Sequence, residues 1–183
     1  LAFGGIEIAT PEGFRAVDKG IDLENLVATC AAFKEAGVLV HAYLMYGYWN
    51  ETDADVIDSA EVMRQLFASG LVDSAFWHKF VLTRHSRAYS EWKECACGIE
   101  PVDIPGNFAD NDLDFEGSSR SERYTAPLDR ALAAWMEGEG LDRPVRSWFP
   151  YKMPEPSAGR DLIEGYIARY ERNRDAAARE PYR

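Results

Sequence analysis

The sequence predicts an α/β fold in which parallel strands are joined by crossover helices. Three observations carry that expectation: apolar, β-branched or aromatic runs at residues 1–8, 38–46 and 75–83, helical apolar spacing in the stretches between them, and connections of only a few residues. Strand, helix, strand, helix, strand in that order is the pattern of a parallel sheet.

The first strand, residues 1–8, closes at Ala9-Thr10-Pro11, because Pro11 disfavours helical geometry at Thr10 and has no N–H for a ladder, and Glu7 stands at its carboxyl end. A short helix over residues 12–18 is expected to end at Gly20. Leu23, Leu26, Val27, Cys30 and Phe33 then mark one face of a helix that starts near Asp22 and stops at Gly37. The second strand follows at once and reaches Gly47, from which Tyr48, Trp49 and Asn50 turn into Glu51-Thr52. Thr52 and Asp55 have capping-box spacing, and Val56, Ala60, Met63 and Phe67 carry a helix to about Ser69.

Between residues 75 and 83, Phe76, His78, Phe80 and Leu82 alternate with Trp77, Lys79, Val81 and Thr83, which predicts one continuous third strand. Residues 87–124, rich in Gly, Pro, Asn, Asp and Ser, read as a long irregular loop or lid. Helical spacing returns at Leu128, Leu132, Trp135 and Met136, and again at Leu162, Ile163, Tyr166, Ile167 and Tyr170. The polar end from Arg172 is expected to fray. The organisation is thus an α/β part over 1–86, an irregular segment over 87–124 and a helical extension over 125–183.

With 20 Lys and Arg against 31 Asp and Glu, the net charge of −11 argues against nucleic acid or an anionic membrane as the main partner and leaves a small molecule, such as a small-molecule or peptide substrate, or another protein. No run approaches the roughly 20 apolar residues of a membrane span, and no leader pattern opens the chain. Three cysteines form no disulfide framework, so a cytoplasmic location is expected. The chain opens on Leu1-Ala2-Phe3 without an initiator methionine, as a piece of a longer protein would.

Gly5-Ile6-Glu7 followed by Lys19-Gly20, the turn Gly47-Tyr48-Trp49-Asn50-Glu51-Thr52, and Phe80-Val81-Leu82-Thr83-Arg84-His85-Ser86 resemble, in that order, the second half of the radical S-adenosylmethionine (SAM) barrel. The first is similar to the family's Gly-x-Glu strand end, and the second to its Gly-x-Pro-Gly-Glu-Thr turn with Trp49 and Asn50 in place of Pro and Gly. The third resembles the last barrel strand and its exit. Asn107-Phe108-Ala109-Asp110-Asn111-Asp112-Leu113 is similar to members that carry an N-terminal cobalamin-binding domain. The resemblance implies the C-terminal half of a partial (β/α)6 TIM-like barrel, with the second strand as the fifth of six.

The family's Cys-x-x-x-Cys-x-x-Cys segment is absent, and Cys30, Cys95 and Cys97 do not supply its spacing. The resemblance therefore implies a fragment of an Fe-S oxidoreductase whose parent cleaves SAM at a [4Fe-4S] cluster to start radical chemistry, with cobalamin as a further cofactor it allows. The fragment alone would be inactive and would expose a sheet edge for self-association. By the same resemblance Glu7, Met45, Tyr46, Gly47, Leu82 and Thr83 would line the SAM site, and His85 and Ser86 the substrate side.

Each residue also has an ordinary reading. Glu7 would serve in a surface ion pair, Met45 and Tyr46 in the core, Gly47 as a turn glycine, and His85 and Ser86 as satisfied polar residues in a turn. Glu51 caps the following helix or orients the turn. Cys95-Ala-Cys97 lacks zinc spacing, Cys30 fits a buried small hydrophobe, and His41 and His78 fit packed strand positions. The acidic run 110–116 lacks the glycine of a calcium loop. Trp135, Trp148, Phe149 and Tyr151 either pack the C-terminal helices or cover the mouth of the barrel. A hydrolase built on His85 and Ser86 lacks an orienting carboxylate. The competing whole-chain reading is a non-catalytic, acidic α/β interaction module.

Overall fold

The computed structural model describes residues 22–94, 111–115 and 117–179, together with the backbone of residues 2–7; the side chains of Glu91 and Trp92 are also outside the description. Its elements run β1 (Ala2–Glu7), α1 (Leu23–Glu35), β2 (Val40–Tyr46), α2 (Asp53–Ala68), β3 (Ser74–Lys79), β4 (Leu82–Thr83), α3 (Arg87–Glu94), β5 (Asp112–Leu113), α4 (Glu122–Met136), a 3-10 turn (Val145–Trp148) and α5 (Leu162–Arg179). The expected helix over 12–18, the Lys19-Gly20 pair, Cys95, Cys97 and most of the Asn107 segment lie outside the described residues.

β1, β2 and β3 form a three-stranded parallel sheet in that order, so the fold is mixed α/β with a parallel sheet as expected. β1 pairs from Ala2 opposite Val40 to Glu7 opposite Leu44, with an irregularity between Gly5 and Glu7. β2 and β3 keep register from His41 opposite Ser74 to Tyr46 opposite Lys79.

Both helices between the strands form where their caps dictate. Asp22 accepts from the Asn25 amide at 2.7 Å and starts α1, and Gly37, at φ 70°, takes the left-handed turn after it. Thr52 caps α2 with a complete capping box: the Asp55 amide donates to Thr52 Oγ1 at 3.3 Å and the Thr52 amide donates to Asp55 Oδ2 at 2.8 Å. Asp serves where Glu is usual because its shorter carboxylate still spans the three-residue step.

The core lies on one face of the sheet. Val40, Ala42, Leu44 and Tyr46 of β2, with Ala75 and Trp77 of β3, join Leu23, Val27 and Cys30 of α1 and Val56, Ile57, Met63 and Leu66 of α2 in a single cluster. Leu128, Leu132 and Trp135 of α4, Val145 and Ile163 belong to the same cluster, so the C-terminal helices pack onto the sheet's helical layer. The opposite face of β2 and β3 carries His41, Tyr43, Phe76 and His78, with Tyr43 37% and Phe76 51% exposed.

Three expectations are corrected. The third strand is not continuous to Thr83: the parallel ladder ends where the Phe80 amide donates to the Tyr46 carbonyl at 2.7 Å, and β4 pairs antiparallel with β5 instead. Phe80 and Leu82 consequently leave the face of Phe76 and His78 and enter a second apolar cluster with Leu113 and Phe115. Stacking of Tyr48 on Phe80, with ring centroids 4.2 Å apart, holds that change of direction.

The segment 87–124 is not wholly irregular. Ser86 caps α3 through a 3.0 Å bond from the Tyr89 amide, Ala88 and Tyr89 pack on the second cluster, and α4 already begins at Glu122. α3 escaped the sequence reading because it carries too few apolar residues to show a period. The end does not fray at Arg172: α5 runs to Arg179, and Arg174 pairs with Glu35 while Arg169 meets Glu24 at 3.2 Å, both on α1.

Candidate functional site

The carboxyl ends of β1 and β2 place Glu7 opposite Leu44 and, two residues on, deliver the chain into the Gly47 turn. Alternation then separates the predicted residues. Tyr46 points into the helical layer, where it is 3% exposed, shares a 2.7 Å hydroxyl bond with Thr125 and meets Trp77 edge-on at 6.4 Å. Burial, opposed by the Thr125 bond, raises its phenol pKa. Met45, its neighbour, faces the other way and receives the Tyr48 hydroxyl on Sδ at 3.8 Å. The expectation that both offer surface to one ligand is corrected by this period of two: Tyr46 is a core residue.

Gly47 is buried at φ 94°. A Cβ there would lie 2.9 Å from Ser121 Oγ and 3.0 Å from Ser121 Cβ, so the space above its Cα is filled by the start of α4. The glycine is required by a close approach of this chain to itself.

Glu51 turns back on that same turn. Its Oε2 accepts from the Gly47 amide, its own amide donates to the Tyr48 carbonyl at 3.1 Å, and Arg120 Nη2 reaches the Glu51 carbonyl at 3.5 Å. Glu51 is 8% exposed, and its Oε1 has no hydrogen-bond partner among the described residues. Burial, reinforced by the Asp55 charge and opposed by the Gly47 amide, pushes its carboxyl up to about 7. It orients the turn, while the helix cap itself belongs to Thr52 and Asp55.

On the far side of the turn, Tyr48 and Trp49 sit against Phe80, and Met45, Leu82, Leu113, Phe115, Ala88 and Tyr89 complete the cluster. Leu82 is fully buried there, and Thr83 is half-buried with its carbonyl accepting from the Ser86 amide at 3.2 Å and the Ser86 hydroxyl at 2.8 Å. His85 is exposed and is the one non-glycine residue among the described ones with a positive φ, 65°. Ser86 is engaged as the α3 cap, so its hydroxyl is held by local backbone. The fold therefore brings Met45 and Leu82 into one apolar cluster, sets Gly47 against Ser121, ties Thr83 to Ser86 at the start of α3, and sends Tyr46 into the main core.

Next to the turn stands a polar group that the sequence did not reveal. Asp53 of α2 is held by Arg123 and by the Tyr124 hydroxyl, and the Arg123 guanidinium lies over the rings of Tyr124 and Tyr151 at 4.9 and 5.1 Å. Burial works against ionisation of Asp53, but Tyr124 and Arg123 outweigh it and lower its pKa; burial and the Asp53 bond push the Tyr124 phenol up to about 12. These partners are about 70 residues apart in sequence, and no local pattern announces such pairs.

No group of three or more His, Cys, Asp or Glu side chains suited to a metal occurs among the described residues. Cys30 is a buried thiol in α1 that burial pushes up to about 11, as fits a packed small hydrophobe. No helix among the described residues is long and apolar enough to cross a membrane. No protein-family model matches the chain, and the search of curated proteins finds no match.

Proposed function

We propose that the chain is the C-terminal part of a radical SAM enzyme, contributing a wall of the SAM and substrate site in a partial TIM-like barrel. The observation that carries this reading is that the described helices pack on one face of a parallel sheet. Parallel sheets are ordinarily covered on both faces; among the described residues the helices pack on one face, while His41, Tyr43, Phe76 and His78 stand on the other, with Tyr43 stacked on His78 at 5.7 Å. An arc of barrel has this arrangement, with helices outside and an inward face that the remaining strands would close.

In this reading Glu7, Gly47 with its turn, and Leu82 to Ser86 stand at the carboxyl ends of the strands, where barrel sites form. Cys30, Cys95 and Cys97 lack the Cys-x-x-x-Cys-x-x-Cys spacing, so in this reading a [4Fe-4S] cluster would be held by other sequence of the parent. Bound there with SAM, such a cluster would supply radical initiation. The residues of this chain would bind, orient and exclude water: Met45 would offer apolar surface, Leu82, fully buried, would support the second cluster rather than touch a ligand, and the Glu51-braced turn would fix the edge. The Asn107 to Leu113 resemblance extends the proposal to a cobalamin-dependent parent.

The test is anaerobic reconstitution of the longer polypeptide with iron and sulfide, followed by SAM and a reductant. A brown protein that releases 5′-deoxyadenosine is expected; a colourless, iron-free product that leaves SAM intact overturns the reading. The competing reading, an acidic non-catalytic interaction module, is favoured by the single core shared between the sheet and the C-terminal helices. It requires a monomer at all concentrations, whereas an open barrel arc self-associates, and light scattering after size exclusion separates the two.

A further inference from the structure

Glu51 is placed as few surface carboxylates are. It is buried, its Oε2 accepts from the Gly47 amide across a turn with the Tyr48 amide also acting on the carboxylate, and its Oε1 has no partner among the described residues. We propose that Glu51 is a proton-operated latch on the Gly47–Asn50 turn: the neutral carboxyl holds the turn against β2 and keeps Tyr48 and Trp49 seated on Phe80, and the ionised carboxylate releases them.

The charged groups packed around it decide the direction. From α2, Asp55 adds negative charge, while Asp53 is occupied by Arg123 and Tyr124. From β3, Lys79 pairs with Glu122 of α4 at 3.2 Å. From β2, the Tyr46 phenol is bonded to Thr125. Arg120, in the turn before α4, reaches the Glu51 backbone carbonyl. No cation on these elements forms a salt bridge with the Glu51 carboxylate among the described residues.

The Gly47 and Tyr48 amides favour the charged form, but burial outweighs them, because with Oε1 unpartnered among the described residues they do not replace the hydration that a buried carboxylate gives up. Ionisation is relieved by swinging the side chain to water, which abandons the Gly47 amide. Tyr48 and Trp49 then lose the brace that positions their rings 4.2 and 5.6 Å from Phe80. The raised carboxyl pKa puts this change in the neutral range. The latch thus makes the shape of the strand-end turn a function of pH, whatever ligand the strand ends receive.

Hydrogen exchange of peptides covering residues 46–52, corrected for the intrinsic rate, tests it. In the wild type, protection of the turn amides should fall about tenfold between pH 6 and 8.5, and Glu51→Gln should stay protected throughout. An equal fall in both proteins, or none in the wild type, overturns the proposal. Carbon-13 titration of the Glu51 carboxyl in the wild type supplies a second readout: a midpoint near neutral that moves down in Asp55→Asn is expected, and a midpoint in the ordinary carboxylate range is fatal. Neither readout involves SAM, so the latch and the reading above fail separately.

Discussion

The Tyr151 hydroxyl donates to the Arg123 carbonyl at 2.8 Å. That carbonyl is four residues before Pro127, which stands inside α4 and has no N–H to donate to it. A side chain from beyond the helix thus fills the acceptor that the proline leaves open. Tyr151→Phe should cost about 1 kcal/mol in urea unfolding, and Pro127→Ala should stabilise the Phe variant more than the wild type. Equal effects of Pro127→Ala in the two backgrounds would sever the link between the residues.

Gly47→Ala should be among the most damaging small substitutions. It meets two separable obstacles, the left-handed φ of 94° and the 2.9 Å approach to Ser121 Oγ. A loss on the order of 2 to 3 kcal/mol is expected, with Ser121→Gly recovering only the steric part. Full recovery would show that backbone strain contributes nothing.

Thr52→Ala removes half of the capping box and should cost about 1 kcal/mol. Thr52→Ser, which keeps the hydroxyl, should cost much less. Thermal unfolding of the three proteins compares them directly, and identical midpoints would remove the cap from the account.

Asp73 ties two elements together: it accepts from the Val40 amide at 2.7 Å and pairs with Lys34 at 2.5 Å. Burial would raise its pKa, but the Lys34 ammonium and the Val40 amide outweigh it, so the folded value is lowered. Its contribution is therefore present above the ordinary aspartate pKa and is lost as pH falls through the folded value. Glu51 has the opposite sign: its raised value makes its contribution greatest below the ordinary glutamate range and drains it as pH rises from about 4.5 to about 7. Asp73→Asn should flatten the acid limb of stability against pH, and Glu51→Gln the decline toward neutrality.

The parallel sheet and both helices between its strands were legible because each is written locally: Asp22 and Thr52 announce the starts, Gly37 a stop, and apolar spacing the faces. The break after Lys79 was not, because Phe80-Val81-Leu82-Thr83 continues the strand alternation, and only Tyr48 and Trp49, some thirty residues earlier in the chain, explain why Phe80 turns away. Of the candidate site, the Gly47 turn was visible as a strand end, whereas its partners Ser121 and Arg120 arrive from α4 and its preceding turn. Tyr46 was misassigned beside Met45 since adjacent residues of a strand serve opposite faces.

Asp58 accepts from the Ser157 amide at 2.6 Å and from the Ser157 hydroxyl, while Gln65 donates to the Gly159 carbonyl at 2.8 Å and accepts from the Ile163 amide at 3.1 Å. These bonds join positions 94 to 99 residues apart. α2 therefore waits for the last part of the chain before its buried amide is satisfied, and closure of so long a loop is slow. During synthesis the sheet would emerge from the ribosome with Gln65 and the surrounding apolar surface bare, and a chain ending before Ser157 should be held by chaperones or degraded rather than accumulate as a folded shorter form.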